Sequence, residues 1–226
     1  AGTIHKIDIS EFIIRDSHGV VRRLKQSDQG AYKLDKKRSA IWLDRTKSFP
    51  ENSEFEALVT FAGEGKGRYI RSVAPDADAV SVRVHHSFVK LPDDEFQPRE
   101  FHPYSGFGSV SFYDYATPIE EPLMKRYIRK HRLIKKNPGS AMSEAVEPIV
   151  YYIDPGCPEP IKSALMHGAA WWDQAYQAAG FAHNTFQIKE LPEGADMLDV
   201  RYNVIQWIHR STRGWSYGAS VTDPRT

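Results

Sequence analysis

The clearest pattern in the chain is an alternation between positions 54 and 61. Phe55, Ala57, Val59 and Phe61 interleave with Glu54, Glu56, Leu58 and Thr60, the period of a half-buried strand. A second alternation places Val80, Val82, Val84, His86 and Phe88 on one face. Upstream, Ile7–Ile14, Val20–Leu24 and Ala40–Leu43 are short apolar-bearing segments. They are separated by the polar turns Asp16-Ser17-His18-Gly19 and Ser27-Asp28-Gln29-Gly30. Gly63–Gly67 reads as a hairpin turn between strands. Pro92, Pro98, Pro103 and Gly106 mark a long loop before a strand at Ser109–Tyr115. Short strands with turns at this spacing predict an antiparallel β-rich domain over residues 1–120.

The pattern changes near Pro122. Met124, Tyr127, Ile128 and His131 fall at i, i+3, i+4 and i+7, which predicts an amphipathic helix over Leu123–Ile134. Asn137-Pro138-Gly139-Ser140 ends it and opens a linker, so residues 121–146 form a basic helix plus connector. From 147 the order is strand, helix, then three strands. Pro148–Ile153 is a short apolar strand. Pro158 suits a first helical position, with Glu159 in the positive first turn. Ile161, Ala164, Leu165, Gly168, Trp172, Ala175, Tyr176 and Ala179 form one apolar stripe. Gly180 fits the left-handed cap after that helix, and Phe181 the apolar contact that follows such a cap. Thr185–Leu191, Val200–His209 and Trp215–Thr222 are the remaining predicted strands.

Composition bounds the function classes. The chain has 226 residues, 41% of them hydrophobic and 12% aromatic, which is ample material for packed cores. Thirty basic against twenty-nine acidic side chains leave a net charge of +1, so no global field recruits nucleic acid. No apolar run approaches the roughly eighteen residues of a membrane-spanning helix, and AGTIHKIDIS does not read as a signal peptide. A single cysteine, Cys157, excludes an internal disulfide.

The candidate chemistry is sparse. The nine histidines are His5, His18, His85, His86, His102, His131, His167, His183 and His209, and no two sit four apart on a predicted helix. Neighbouring His85 and His86 point to opposite faces of a strand and cannot readily share a metal ion. Gly63–Gly67 does not meet the phosphate-loop pattern, because Thr60 and Gly67 occupy the positions that need Gly and Ser or Thr. The seven Lys and Arg residues between Lys125 and Lys136 lack interleaved stacking aromatics, and read as a solvated or docking face. Cys157 reads as a small residue at a helix start, and no G-x-S-x-G elbow occurs.

Several stretches carry a family resemblance: RTKSFPENSEFEALVTF (45–61), HHSFVKLP (85–92), YDYATPI (113–119), RYIRKHRLIKK (126–136), EPIVYYIDPGCPEPIKSALMHGAAWWDQAYQAAGF (147–181) and DVRYNVIQWIHRSTRGWSYGASVTDPRT (199–226). Together they resemble the N-terminal part of large zinc-dependent metallopeptidases of Gram-negative bacteria, in which a domain of unknown function precedes a metzincin-like catalytic domain. The Phe101–Gly106 loop departs from the more acidic, Arg-bearing motif expected there.

The resemblance implies an α+β protein: an antiparallel β-rich accessory or propeptide-like domain, then the first strand–helix–strand portion of a zincin-like domain over 147–226. It implies that Tyr217, Gly218, Ala219, Ser220 and Val221 form the edge strand along which a peptide substrate lies. The H-E-x-x-H helix is expected beyond Thr226. The fragment is then inactive alone, with no catalytic or metal-binding residue of its own, while zinc serves the parent. The implied partners are a peptide or protein substrate and the remainder of the catalytic domain, in a periplasmic or secreted protein. The alternative is a non-catalytic module that recognises a protein or glycan through the β-rich domain.

Overall fold

The computed structural model describes residues 3–210 and 215–218. The fold is α+β, and it divides into two compact units: residues 1–90 with 198–201, and residues 91–197 with 202–226.

The first unit is built on a long strand, β3 (Asn52–Gly65). On one side it pairs antiparallel with β1 (Gly30–Ile41) and with the short β2 (Lys47–Ser48). On the other side lies β4 (Ala79–Val89), in register from Asn52↔Val89 to Ala62↔Ala79. Both predicted alternations are therefore real strands, and they are partners. Ala57, Val59, Phe61 and Val84 join Ile13, Tyr32 and Ile70 in one buried cluster.

Three local expectations give way here. Ile7–Ile14 and Val20–Leu24 are not β segments but contain helices, α1 (Ser10–Ile13) and α2 (Val20–Gln26). The Asp16 carboxylate accepts the amides of Val20 and Val21, and Gly19 turns with φ +65°, so the polar turn starts a helix. Val20, Val21 and Leu24 then pack against the cluster. β1 escapes the pattern because its middle is charged. It bulges between Asp35 and Ala40, where Asp35 accepts the amides of Lys37 and Arg38. Gly63–Gly67 is not a hairpin turn either. Gly63 and Gly65 lie within β3, opposite Tyr32 and Gly30, and the chain then enters helix α3 (Arg68–Val73) before β4.

In the second unit, β5 (Ser109–Tyr113) pairs antiparallel with β6 (Met124–Ile128). β6 corrects the expected helix over Leu123–Ile134. The same residues satisfy a period of two, and β5 supplies a ladder from Ser109↔Ile128 to Tyr113↔Met124 that no isolated helix could match. Further on, β7 (Ile149–Ile153) is the central strand of a parallel sheet, flanked by β8 (Phe186–Glu190) and β9 (Asn203–Ile205).

The predicted long helix is divided at Trp171 into α4 (Ile161–Ala170) and α5 (Trp172–Ala178). It begins at Ile161 rather than Pro158. Its end is as expected: Gly180 has φ +87°, its amide bonds Gln177 O, and the Phe181 amide bonds Tyr176 O. These are the two hydrogen bonds of a glycine-capped helix terminus. Rings from Tyr176 and Tyr151 stack on Phe186, joining α5 to the sheet. Val200–His209 is a strand only at β9. Trp215–Gly218 is not a strand, and the rest of the predicted final strand lies outside the described residues. No helix among the described residues is long and apolar enough to cross a membrane.

Candidate functional site

On β3, odd-numbered side chains from Ala57 to Phe61 enter the core, so even-numbered ones project from the other face of the sheet. There the structure does something that alternation did not predict: Glu54 is buried, with 2% of its surface exposed. The ladder sets Glu54 opposite Ser87 and Glu56 opposite His85, which brings three donors to one carboxylate. His85 Nε2 lies 2.5 Å from Glu54 Oε2, Ser87 Oγ donates to the same oxygen at 2.5 Å, and Asn52 Nδ2 donates to Oε1. A carboxylate can leave water only with such compensation.

The cluster holds an imidazole in place by a carboxylate, which is one half of a proton relay. It does not assemble a serine–histidine–acid triad, because Ser87 gives its proton to Glu54 instead of His85. Asn52, itself buried, reaches further: its Nδ2 donates to Leu198 O at 2.8 Å, and its Oδ1 accepts from Val200 N at 3.1 Å. Beside it, buried Asp199 is gripped by Arg201, whose Nη2 is 2.6 Å from Oδ2, and this partner holds the carboxyl below its ordinary range.

His86 faces the other way, as adjacent strand residues must. Its ring is 6.1 Å from that of Phe12, beside α1. Burial pushes its pKa below the ordinary 6.5. A backbone hydrogen bond with Ile13 opposes that shift, and Arg15, His18 and His85 reinforce it. Its Nε2 is buried without a hydrogen-bond partner. Folded protein therefore holds fewer protons at His86 than the unfolded chain as pH falls through 6.5. This contribution to stability is present above that pH and lost below it. We expect wild-type urea midpoints to drop between pH 7.5 and 5.5 by more than those of His86→Gln. Equal pH slopes for the two proteins would contradict this.

In the second unit, Asp173 is buried at the start of α5. Burial raises its pKa, but hydrogen bonds from the Phe186 and Asn184 amides, Gln177 and His183 outweigh that and lower it. The His183 Nδ1 contact is 2.6 Å. These bonds pin α5 to the turn before β8, a structural role. At the carboxyl end of β7, Asp154 accepts the amides of Gly156 and Trp207. There Asp154, Leu191, Asp196 and Met197 border a cleft of about 330 Å³.

Other candidates resolve into structure. The amides of the glycine-rich stretch are engaged within the protein and do not form a phosphate cradle: Gly63 N bonds Asp78 O, Gly65 N bonds Asp78 Oδ1, and Lys66 N and Gly67 N bond Gln29 O. Much of the basic run is engaged internally. Lys125 pairs with Glu121, Arg132 with Asp93 and Lys136 with Glu144, while Arg126 stacks on Phe101 and Lys135 on Phe181. Cys157 is buried. Of the expected substrate strand, Tyr217 and Gly218 are described and exposed, with no strand pairing. Ala219, Ser220 and Val221 lie outside the described residues. Among the described residues no three His, Cys, Asp or Glu side chains are grouped to hold a metal ion.

Asn52, Glu54, Asp173 and Asp199 were invisible as a set in the sequence. The only hint was chemical: Glu54 and Glu56 on one strand, with two histidines on another strand of similar length.

The fold therefore defines a two-unit α+β protein with a polar cluster around buried Glu54 on the first unit's sheet. Residues 3–136, more than half of the 226, match the family described as Domain of unknown function (DUF5117), and the chain belongs to that family. No curated protein and no solved structure matches it.

Proposed function

We propose that this chain is the non-catalytic N-terminal part of a zinc-dependent metallopeptidase. In this reading a DUF5117 accessory domain leads into the opening strand, helix and strands of a metzincin-like domain. The observation that carries it is the parallel sheet β8-β7-β9 with α4 and α5 between β7 and β8, which follows the family-matched stretch. That order agrees with the opening of a metzincin-like domain, as do the resembling stretches 147–181 and 199–226. The parent would act on a peptide or protein substrate in the periplasm or outside the cell.

The described residues do not fit zinc, for want of a ligand group, so no hydrolytic step is assigned to them. In the parent, residues other than these would supply the zinc ligands and the general base. The 226-residue chain is expected to leave a broad peptide library uncut with added zinc. The same chain carrying whatever its gene encodes after Thr226 is expected to cut it, and to stop when zinc is chelated. Cleavage by the short chain, or a downstream region without zinc-ligand histidines, would overturn the proposal.

A further inference from the structure

The buried cluster of the first unit has geometry that suits recognition better than catalysis. Asn52 uses both ends of its side-chain amide on one short segment, donating to Leu198 O and accepting from Val200 N. That is the pair of hydrogen bonds a neighbouring strand would offer, here made by a side chain. The orientation of the amide is fixed chemically. A backbone N–H only donates and a backbone carbonyl only accepts, so Oδ1 faces Val200 N and Nδ2 faces Leu198 O, with Glu54 Oε1 as a second acceptor for Nδ2. His85 and Ser87 hold the other Glu54 oxygen. The order of support runs from His85 and Ser87 through Glu54 to Asn52, and ends on backbone.

Asn52 holds the segment by its main chain, while the one acid in it, Asp199, is bonded within the segment by Arg201. Leu198 and Val200 are 37% and 44% exposed, whereas Asp199 between them is 4% exposed. Arg201 closes the turn, bonding Asp199 through its amide, Nε and Nη2. Leu198–Arg201 belongs to the first unit, yet lies outside the stretch 3–136 that matches the family.

We propose that Asn52, positioned by Glu54, His85 and Ser87, is a receptor for the backbone of a turn of the form X-Asp-X-Arg, and that Leu198–Arg201 is its resident ligand. The DUF5117 domain is thus a clamp in cis on a segment of the chain that follows it. This inference stands on the first unit alone and does not require the peptidase reading.

The test is residue-resolved hydrogen exchange on the whole chain. In the wild type, the Val200 amide and the Asn52 side-chain amide protons should be protected together. Asn52→Ala should speed Val200 exchange at least tenfold while leaving the Phe186 amide unchanged. Glu54→Gln, which still accepts from Asn52, should preserve most of the Val200 protection, and Glu54→Leu should lose it. An Asn52→Ala chain with wild-type Val200 exchange would overturn the proposal. So would a wild-type chain in which Val200 or the Asn52 side-chain amide exchanges like an exposed group, a result that needs no variant to fold.

Discussion

Replacing Glu54 by leucine is expected to destabilise the first unit by about 3 kcal/mol, and replacing it by glutamine by about 1 kcal/mol. The difference lies in what is left behind. Leucine removes the acceptor from His85, Ser87 and Asn52 together; the exposed His85 and Ser87 can turn to water, but the buried Asn52 amide is left short of a partner and bears the desolvation cost. Glutamine keeps one carbonyl acceptor in the same volume. Urea denaturation followed through protection of the β3 amides would measure all three proteins. A Glu54→Leu chain within about 0.5 kcal/mol of wild type would mean the cluster is solvated, not buried.

Gly63→Ala is expected to cost about 3 kcal/mol, a large effect for one methyl group. Gly63 sits in β3 opposite Tyr32, and a Cβ there would lie 2.0 Å from the Ala31 carbonyl oxygen and 2.8 Å from Tyr32 Cα. Both are backbone atoms of β1, so relief requires the strands to separate and not merely a rotamer change. Gly139→Ala is the matched control, since a Cβ at that position has no neighbour within 4 Å. Thermal unfolding should show a clear fall in midpoint for the first substitution and almost none for the second. Equal midpoints would contradict the close pairing of β1 and β3.

Features set by near neighbours in sequence were legible before the structure. The Gly180–Phe181 helix end needs only the residues of one turn, and the strands at Phe55–Phe61 and Val80–Phe88 show their period directly. Features that depend on distant partners were not. Glu54 looks like a solvent-facing strand residue until His85, thirty-one positions away, and Asn52, which reaches across 146 positions to Leu198, enclose it. β6 satisfies two periods at once, and only the presence of β5 decides between them. β1 was hidden by the charged stretch from Asp35 to Arg38, where it bulges. Helix α2 was missed because a seven-residue helix is decided by its cap and its packing, not by propensity.

The proposed function places a zinc centre outside the described residues. The most direct measurement is tightly bound zinc per chain after exhaustive dialysis, for the 226-residue protein and for a protein extended by any sequence its gene encodes after Thr226. The account predicts no stoichiometric zinc in the first and about one equivalent in the second. One tightly held equivalent in the 226-residue protein, or none in the longer one, would contradict it.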